Sequence, residues 1–151
     1  MVDSAPVGTP QANLDLFHRF YQCFLDNDLD TMRNEVMAPD VVWHIPGHHT
    51  LSGTHRGVDE ILAYFGQVGA SNFKSDMRYL HADDNYVVQV HRGWSNRGDG
   101  TDVDMLWVLV YRIEDGRIAE AREFAQDQAA ADAFFTQHYP LAPVPGRLLD
   151  A

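Results

Sequence analysis

Cysteine is nearly missing from this chain of 151 residues: Cys23 stands alone. One thiol cannot close an internal disulfide, so nothing points to an oxidising compartment. It sits in an apolar helical run and reads as a small core residue. Basic side chains are scarce too, 11 against 22 acidic ones, which leaves a formal net charge of −11. Such a surface repels phosphate backbones and anionic headgroups, so neither nucleic acid nor a membrane is an expected partner. No apolar run has the length of a transmembrane helix. The opening MVDSAPVGTP lacks the apolar stretch of a secretory signal. These absences predict a cytoplasmic protein with a disordered lead-in over residues 1–11. A phosphate loop, a G-x-S-x-G elbow, a Cys-x-x-Cys pair and a dinucleotide fingerprint are also missing, so no cofactor is implied.

What is present is enough for one domain. Apolar residues make up 45% of the chain, and neither a repeat nor a linker interrupts it. Leu14, Phe17, Tyr21, Phe24 and Leu25 recur at steps of three and four, which predicts a helix over 13–28. A second short helix follows over 29–38, closed by Pro39. DVVWHIP has the β-branched and aromatic content of a strand. GHHTLSGTHRG, with three glycines and no helical period, reads as a loop. A third helix is expected over 58–69.

Beyond Gly69 the period changes to two. Strands are expected over 71–82, 86–95, 102–113 and 118–125, joined by turns at Asp83-Asp84-Asn85, at NRGDGT and at an Asp-Gly pair. Asp127 then caps a closing helix over 128–138, and residues 139–151, with three prolines, read as an extended tail. Helices gathered at one end and a strand meander at the other mean an α+β fold.

The pieces FYQCFLDNDLDTM, APDVVWHIPG, LSGTHRGVDEILAYF, VLVYRIEDGRIAEAREF and DQAAADAFF, in this order, resemble the SnoaL-like and ketosteroid-isomerase-like proteins of the nuclear transport factor 2 superfamily. The resemblance covers residues 12–138. It implies a cone: a curved antiparallel sheet wraps the N-terminal helices around an apolar pocket, often in a homodimer. It implies no single reaction, because the superfamily holds isomerases, polyketide cyclases, epoxide hydrolases, dehydratases, lyases and non-catalytic binders.

Ketosteroid isomerases carry a carboxylate on the first strand just before a proline; here Ile45 precedes Pro46. Their helix-one tyrosine falls on Phe20, with Tyr21 one step away. Epoxide hydrolases of the limonene type use an Asp–Arg–Asp arrangement. Arg92 matches the arginine, Trp94 replaces its partner aspartate, and Glu123 in A-R-E matches the final carboxylate. If the face carrying Val88, Val90, Arg92 and Trp94 turns inward beside Ala119, Ala121 and Glu123, then Arg92 and Glu123 pair across the pocket and orient a carbonyl or a water. His44 is a candidate acid–base group because imidazole titrates near neutral pH. Alignment to the isomerases turns Trp43 and Ile45 inward; alignment to the epoxide hydrolases turns His44 inward. Both stay open at this level.

The expected site is therefore His44, Arg92 and Glu123 for chemistry, with Phe20, Tyr21, Trp43, Phe65, Trp94 and Trp107 against a hydrophobic, oxygen-bearing ligand. The expected reaction is cofactor-independent proton transfer: cyclisation, isomerisation, hydration or elimination. The alternatives are a non-catalytic binding module and an epoxide hydrolase-like activity. His44, His48, His49 and His55 crowd one segment, but adjacent His48 and His49 point apart in an extended chain and no carboxylate or cysteine lies among them. A histidine-rich pocket lip fits better than a metal site.

Overall fold

The computed structural model describes residues 7–70, 72–95 and 102–138. Residues 1–6 of the expected lead-in over 1–11, the NRGDGT loop and the tail over 139–151 fall outside them, whereas Pro10 and Gln11 of that lead-in are helical. Helix α1 (Pro10–Asp26) starts three residues earlier than the apolar period predicts. Thr9 explains the start: its hydroxyl accepts the Ala12 N–H, and Pro10 takes the first helical position, where no N–H is needed. Asn27 ends the helix in the left-handed conformation, with φ 55°.

A single turn, α2 (Leu29–Thr31), runs into a π-helical turn over Met32–Val36. The expected helix over 29–38 is thus shorter. The chain is already extended at Met37, where β1 (Met37–Ile45) begins. Arg117 holds this junction by donating to the Asn34 and Met37 carbonyls. Pro39 lies inside β1, in the interval between Met37 and Val42 where the register slips, a place where a missing N–H costs no ladder bond.

Strand β2 (Gly53–Arg56) corrects the reading of GHHTLSGTHRG as loop throughout: its last part pairs antiparallel with β1. Helix α3 (Val58–Ala70) follows, then β3 (Lys74–Ala82), β4 (Tyr86–Ser95), β5 (Val103–Glu114), β6 (Arg117–Ala125) and α4 (Gln128–His138). The six strands form one sheet in the order β2-β1-β6-β5-β4-β3. All neighbours are antiparallel except β1 and β6. Asp115 and Gly116 both have positive φ, as a two-residue hairpin between β5 and β6 requires. Asp127 caps α4, as expected, by accepting the Ala130 N–H.

One face of the sheet carries two apolar clusters. The larger joins α1, α3 and β1 through Phe17, Phe20, Trp43, Ile61 and Tyr111. The smaller joins α4 to β5 through Phe134, Phe135 and Trp107. Cys23 is buried in the larger cluster, where burial pushes its thiol pKa up. The architecture is α+β, as the order of elements predicts, with the helices on one face of a single six-stranded sheet. Among the described residues no helix is long and apolar enough to cross a membrane.

Candidate functional site

Between the sheet and α1, α3 and α4 lies a cavity of about 390 Å³. Phe20, Tyr21, Trp43, Phe65 and Trp107 all line it, as expected. Leu25, which is 59% exposed, also lines it and marks where it opens. Small Ala121 on β6 is fully buried in the larger cluster. Ketosteroid-type phasing is the one β1 adopts: Trp43 and Ile45 are buried, and His44 points the other way.

Glu123 is the carboxylate of the floor. β6 brings it opposite Leu109, and Leu109 lies opposite Gln89 on β4. The Trp43 indole N–H donates to one carboxylate oxygen at 2.9 Å. The Tyr64 hydroxyl, on α3, lies 3.2 Å from both oxygens. Burial away from water pushes the Glu123 pKa up from 4.5 to about 7; the Trp43 and Tyr64 hydrogen bonds pull the other way without cancelling it. Tyr111 is fully buried beside it. Burial first, then the Glu123 charge, holds its phenol well above the usual range, and its hydroxyl donates to Gln89 Oε1 at 2.8 Å.

Arg92 does not reach Glu123. On β4 the buried face is Val87, Gln89, His91, Gly93 and Ser95, so Arg92 and Trp94 stand on the outer face of the sheet. There Arg92 makes a two-pronged pair with Asp104, at 2.8 and 2.6 Å, and its guanidinium covers the Trp94 ring at 4.5 Å. The expected inward Arg92–Glu123 pair and the expected cavity position of Trp94 are thus both corrected. Alternation fixes which residues share a face, not which face is inside. His44 is corrected likewise: its Nδ1 lies 3.1 Å from Thr54 Oγ1 and its Nε2 3.6 Å from Glu120, on the outer face. Glu120 and Arg122 form the solvated outer pair that the strand period predicts.

Tyr64 and His91 are among the cavity groups that the sequence reading missed. Tyr64 shares the α3 face of Ile61, Phe65 and Val68, so its spacing was a usable signal. His91 sits on the β4 face that looks the more polar of the two. It is 9% exposed and lines the cavity, and burial lowers its pKa to about 4, which keeps it neutral. The histidine-rich segment divides its members. His49 is buried, stacks on Phe135 at 4.7 Å and accepts the Leu51 N–H at Nδ1; burial lowers its pKa against the pull of Asp132. The His48 N–H donates to Asp132 on α4. The His55 ring stacks on Tyr64. Among the described residues no group of three or more His, Cys, Asp or Glu side chains is placed to hold a metal ion.

A family model for the SnoaL-like domain matches residues 17–121. Rv0034 of Mycobacterium tuberculosis strain H37Rv is 33% identical over 132 residues, covering 84% of this chain and 98% of that protein. Bal32a, from a soil-derived mobile gene cassette, superposes with a TM-score of 0.75 at 30% identity, over 83% of this chain and 98% of its own. A protein with a cystatin-like fold from Xanthomonas campestris gives 0.71 at 32% identity, over 81% and 96%.

Proposed function

The chain belongs to the SnoaL-like family, and on that premise we propose that it is a cofactor-independent enzyme that moves a proton on an apolar, oxygen-bearing small molecule, with Glu123 as the proton carrier. One observation carries the reading: among the described residues that line the cavity, one carboxylate stands among the aromatic rings, held by Trp43 and Tyr64. A carboxyl poised at about 7 exists in both forms near neutral pH, which suits either the giving or the taking of a proton. Phe20, Tyr21, Trp43, Phe65 and Trp107 supply the apolar wall. Cyclisation, isomerisation, hydration and elimination all need this step. Epoxide opening of the limonene type is not proposed, because Arg92 faces away from the cavity. A second copy of the chain is the proposed partner of the outer sheet face, where Leu106 and Phe124 stay exposed.

The test uses 1-tetralone, a bicyclic ketone, in deuterated water. Ionised Glu123 takes a proton from the carbon beside the carbonyl, leaving an enolate. It returns a deuteron after exchange with solvent. Faster deuterium uptake with the wild type, lost in Glu123→Gln, supports the reading. No acceleration by the wild type, or full acceleration by Glu123→Gln, overturns it in favour of a binding module.

A further inference from the structure

β4 turns two hydrogen-bonding side chains with ring or amide nitrogens toward the cavity, Gln89 and His91. Gln89 has a partner, since its Oε1 accepts the Tyr111 hydroxyl. His91 differs: its Nδ1 is enclosed and bonds to nothing. Buried polar atoms in folded proteins are nearly always paired, so the unpaired nitrogen bears on where the ring's single hydrogen sits. Of its lateral neighbours in the sheet, Met77 offers only a weak thioether acceptor in its side chain and Trp107 none. Burial keeps the ring neutral, so it carries one N–H. Orphaned donors are rarer than orphaned acceptors in protein interiors. The hydrogen therefore belongs on Nε2, the nitrogen left for a ligand, and His91 is a donor.

Charge narrows what that donor meets. The carboxylate of the floor is Glu123, and the chain as a whole carries −11. An anionic ligand is repelled from such a site, whereas a neutral carbonyl is not. In the sheet, His91 lies opposite Trp107 and Glu123 opposite Leu109, so the two groups stand on strands separated by β5 and one inward position out of step. A ligand between them meets a donor on one wall and a proton carrier on the other.

We propose that His91 is a specificity-determining residue of this cavity, and that its N–H receives the carbonyl oxygen of a neutral, apolar carbonyl compound. This rests on the reading of the cavity as a small-molecule site and deepens it. The probes are 1-tetralone, its hydrocarbon counterpart tetralin, and 1-naphthoate, titrated against the full chain by calorimetry. The wild type is expected to bind 1-tetralone about tenfold more tightly than tetralin, and more tightly than 1-naphthoate. His91→Phe is expected to bring the ketone-to-hydrocarbon ratio to about one while tetralin binding persists. A wild-type ratio near one, a ratio that survives in His91→Phe, or stronger binding of 1-naphthoate overturns the proposal.

Should His91→Phe fail to fold, nitrogen NMR of the wild-type imidazole decides. A His91 Nε2 shift that moves with 1-tetralone and not with tetralin supports the donor role, and equal response to both removes it. Glu123→Gln keeps the binding ratio if His91 sets it, even where deuterium uptake fails. The two readings can therefore fall separately.

Discussion

Trp43 and Glu123 meet across the parallel pair β1–β6, with the indole N–H donating to the carboxylate at 2.9 Å. This bond and the Tyr64 hydroxyl stabilise the charged form against burial. Trp43→Phe keeps a ring in the wall and deletes the donor. The Glu123 pKa is then expected to rise above about 7, and the rising limb of deuterium uptake against pH to move upward with it. Carbon NMR of the labelled carboxyl checks the titration. Loss of part of a buried indole also costs about 1–3 kcal/mol of stability, read by urea unfolding. An unchanged Glu123 titration in a folded Trp43→Phe protein would remove the indole from the mechanism.

Glu123 and His91 oppose each other in the pH dependence of stability. The Glu123 pKa is raised on folding, from 4.5 to about 7, so its contribution is full below 4.5 and is lost as pH rises through 7. The His91 pKa is lowered, from 6.5 to about 4, so its contribution is full above 6.5 and is lost as pH falls through 4. Between 4.5 and 6.5 the native state holds a proton on Glu123 that the unfolded chain has released, and the unfolded chain holds one on histidine that the native state has refused. The two slopes cancel there. His91→Phe is expected to expose a fall in stability from pH 4.5 to 7. Glu123→Gln is expected to expose a fall toward acid, and to be more stable than wild type at pH 8 by up to about 3 kcal/mol. Urea unfolding across pH 4–8 measures both. Parallel profiles for the two variants would contradict the assignment.

The order of elements was legible because helical and strand periods differ sharply along this chain. The phase of the strands was not. On β4 the apolar set Val88, Val90 and Trp94 reads as the buried face, yet it is the outer one. The cavity face must carry polar groups for a ligand, and the outer face is apolar enough to be half-buried, so the usual contrast between the faces is inverted. Arg92 was misplaced for that reason; on β1 the two alignments disagree over His44, and the ordinary apolar face of Val41, Trp43 and Ile45 is the buried one. Glu123 was placed correctly because Ala119 and Ala121 mark its face by size. β2 was hidden by its four-residue length and its glycine, and the π turn by side chains that suit any helix.

Arg92 supplies a control on this inversion. It pairs with Asp104 and covers Trp94 on the outer face. Arg92→Ala is expected to leave 1-tetralone affinity and deuterium uptake unchanged, because exposed ion pairs contribute little. Kinetics of the purified variant beside Glu123→Gln check this. A loss comparable to that of Glu123→Gln would put the arginine back into the reaction.

Gly47 fastens the histidine-rich segment to α4. Its φ is +88°, and a methyl group there would collide with Asp132 and Gln128. Those side chains are already engaged, since Asp132 Oδ1 accepts the His48 N–H and the Gln128 amide. Gly47→Ala therefore combines backbone strain with two broken contacts, and about 1–3 kcal/mol of destabilisation is expected. Hydrogen exchange should quicken in α4, which carries Phe135 of the cavity wall, and stay slow in β4 and β5. Uniform quickening across the sheet would mean that the segment supports the whole fold rather than α4.

The outer face of the sheet carries a test of assembly. Phe124 is 51% exposed and Leu106 43%, and Phe124 lies opposite Val108, which lies opposite Val90. The strip is apolar and is flanked by charged pairs such as Arg92–Asp104 and Arg122–Glu120. A second copy related by a two-fold axis would cover the strip with its own equivalent and bring those pairs to the rim. Phe124→Asp places a charge at the centre of that contact, where desolvation is most costly. Sedimentation equilibrium is expected to show a dimer for the wild type and a monomer for Phe124→Asp, with 1-tetralone binding retained because Phe124 points away from the cavity. A dimer that survives the substitution would move the contact to another surface, and a monomeric wild type would end the proposal.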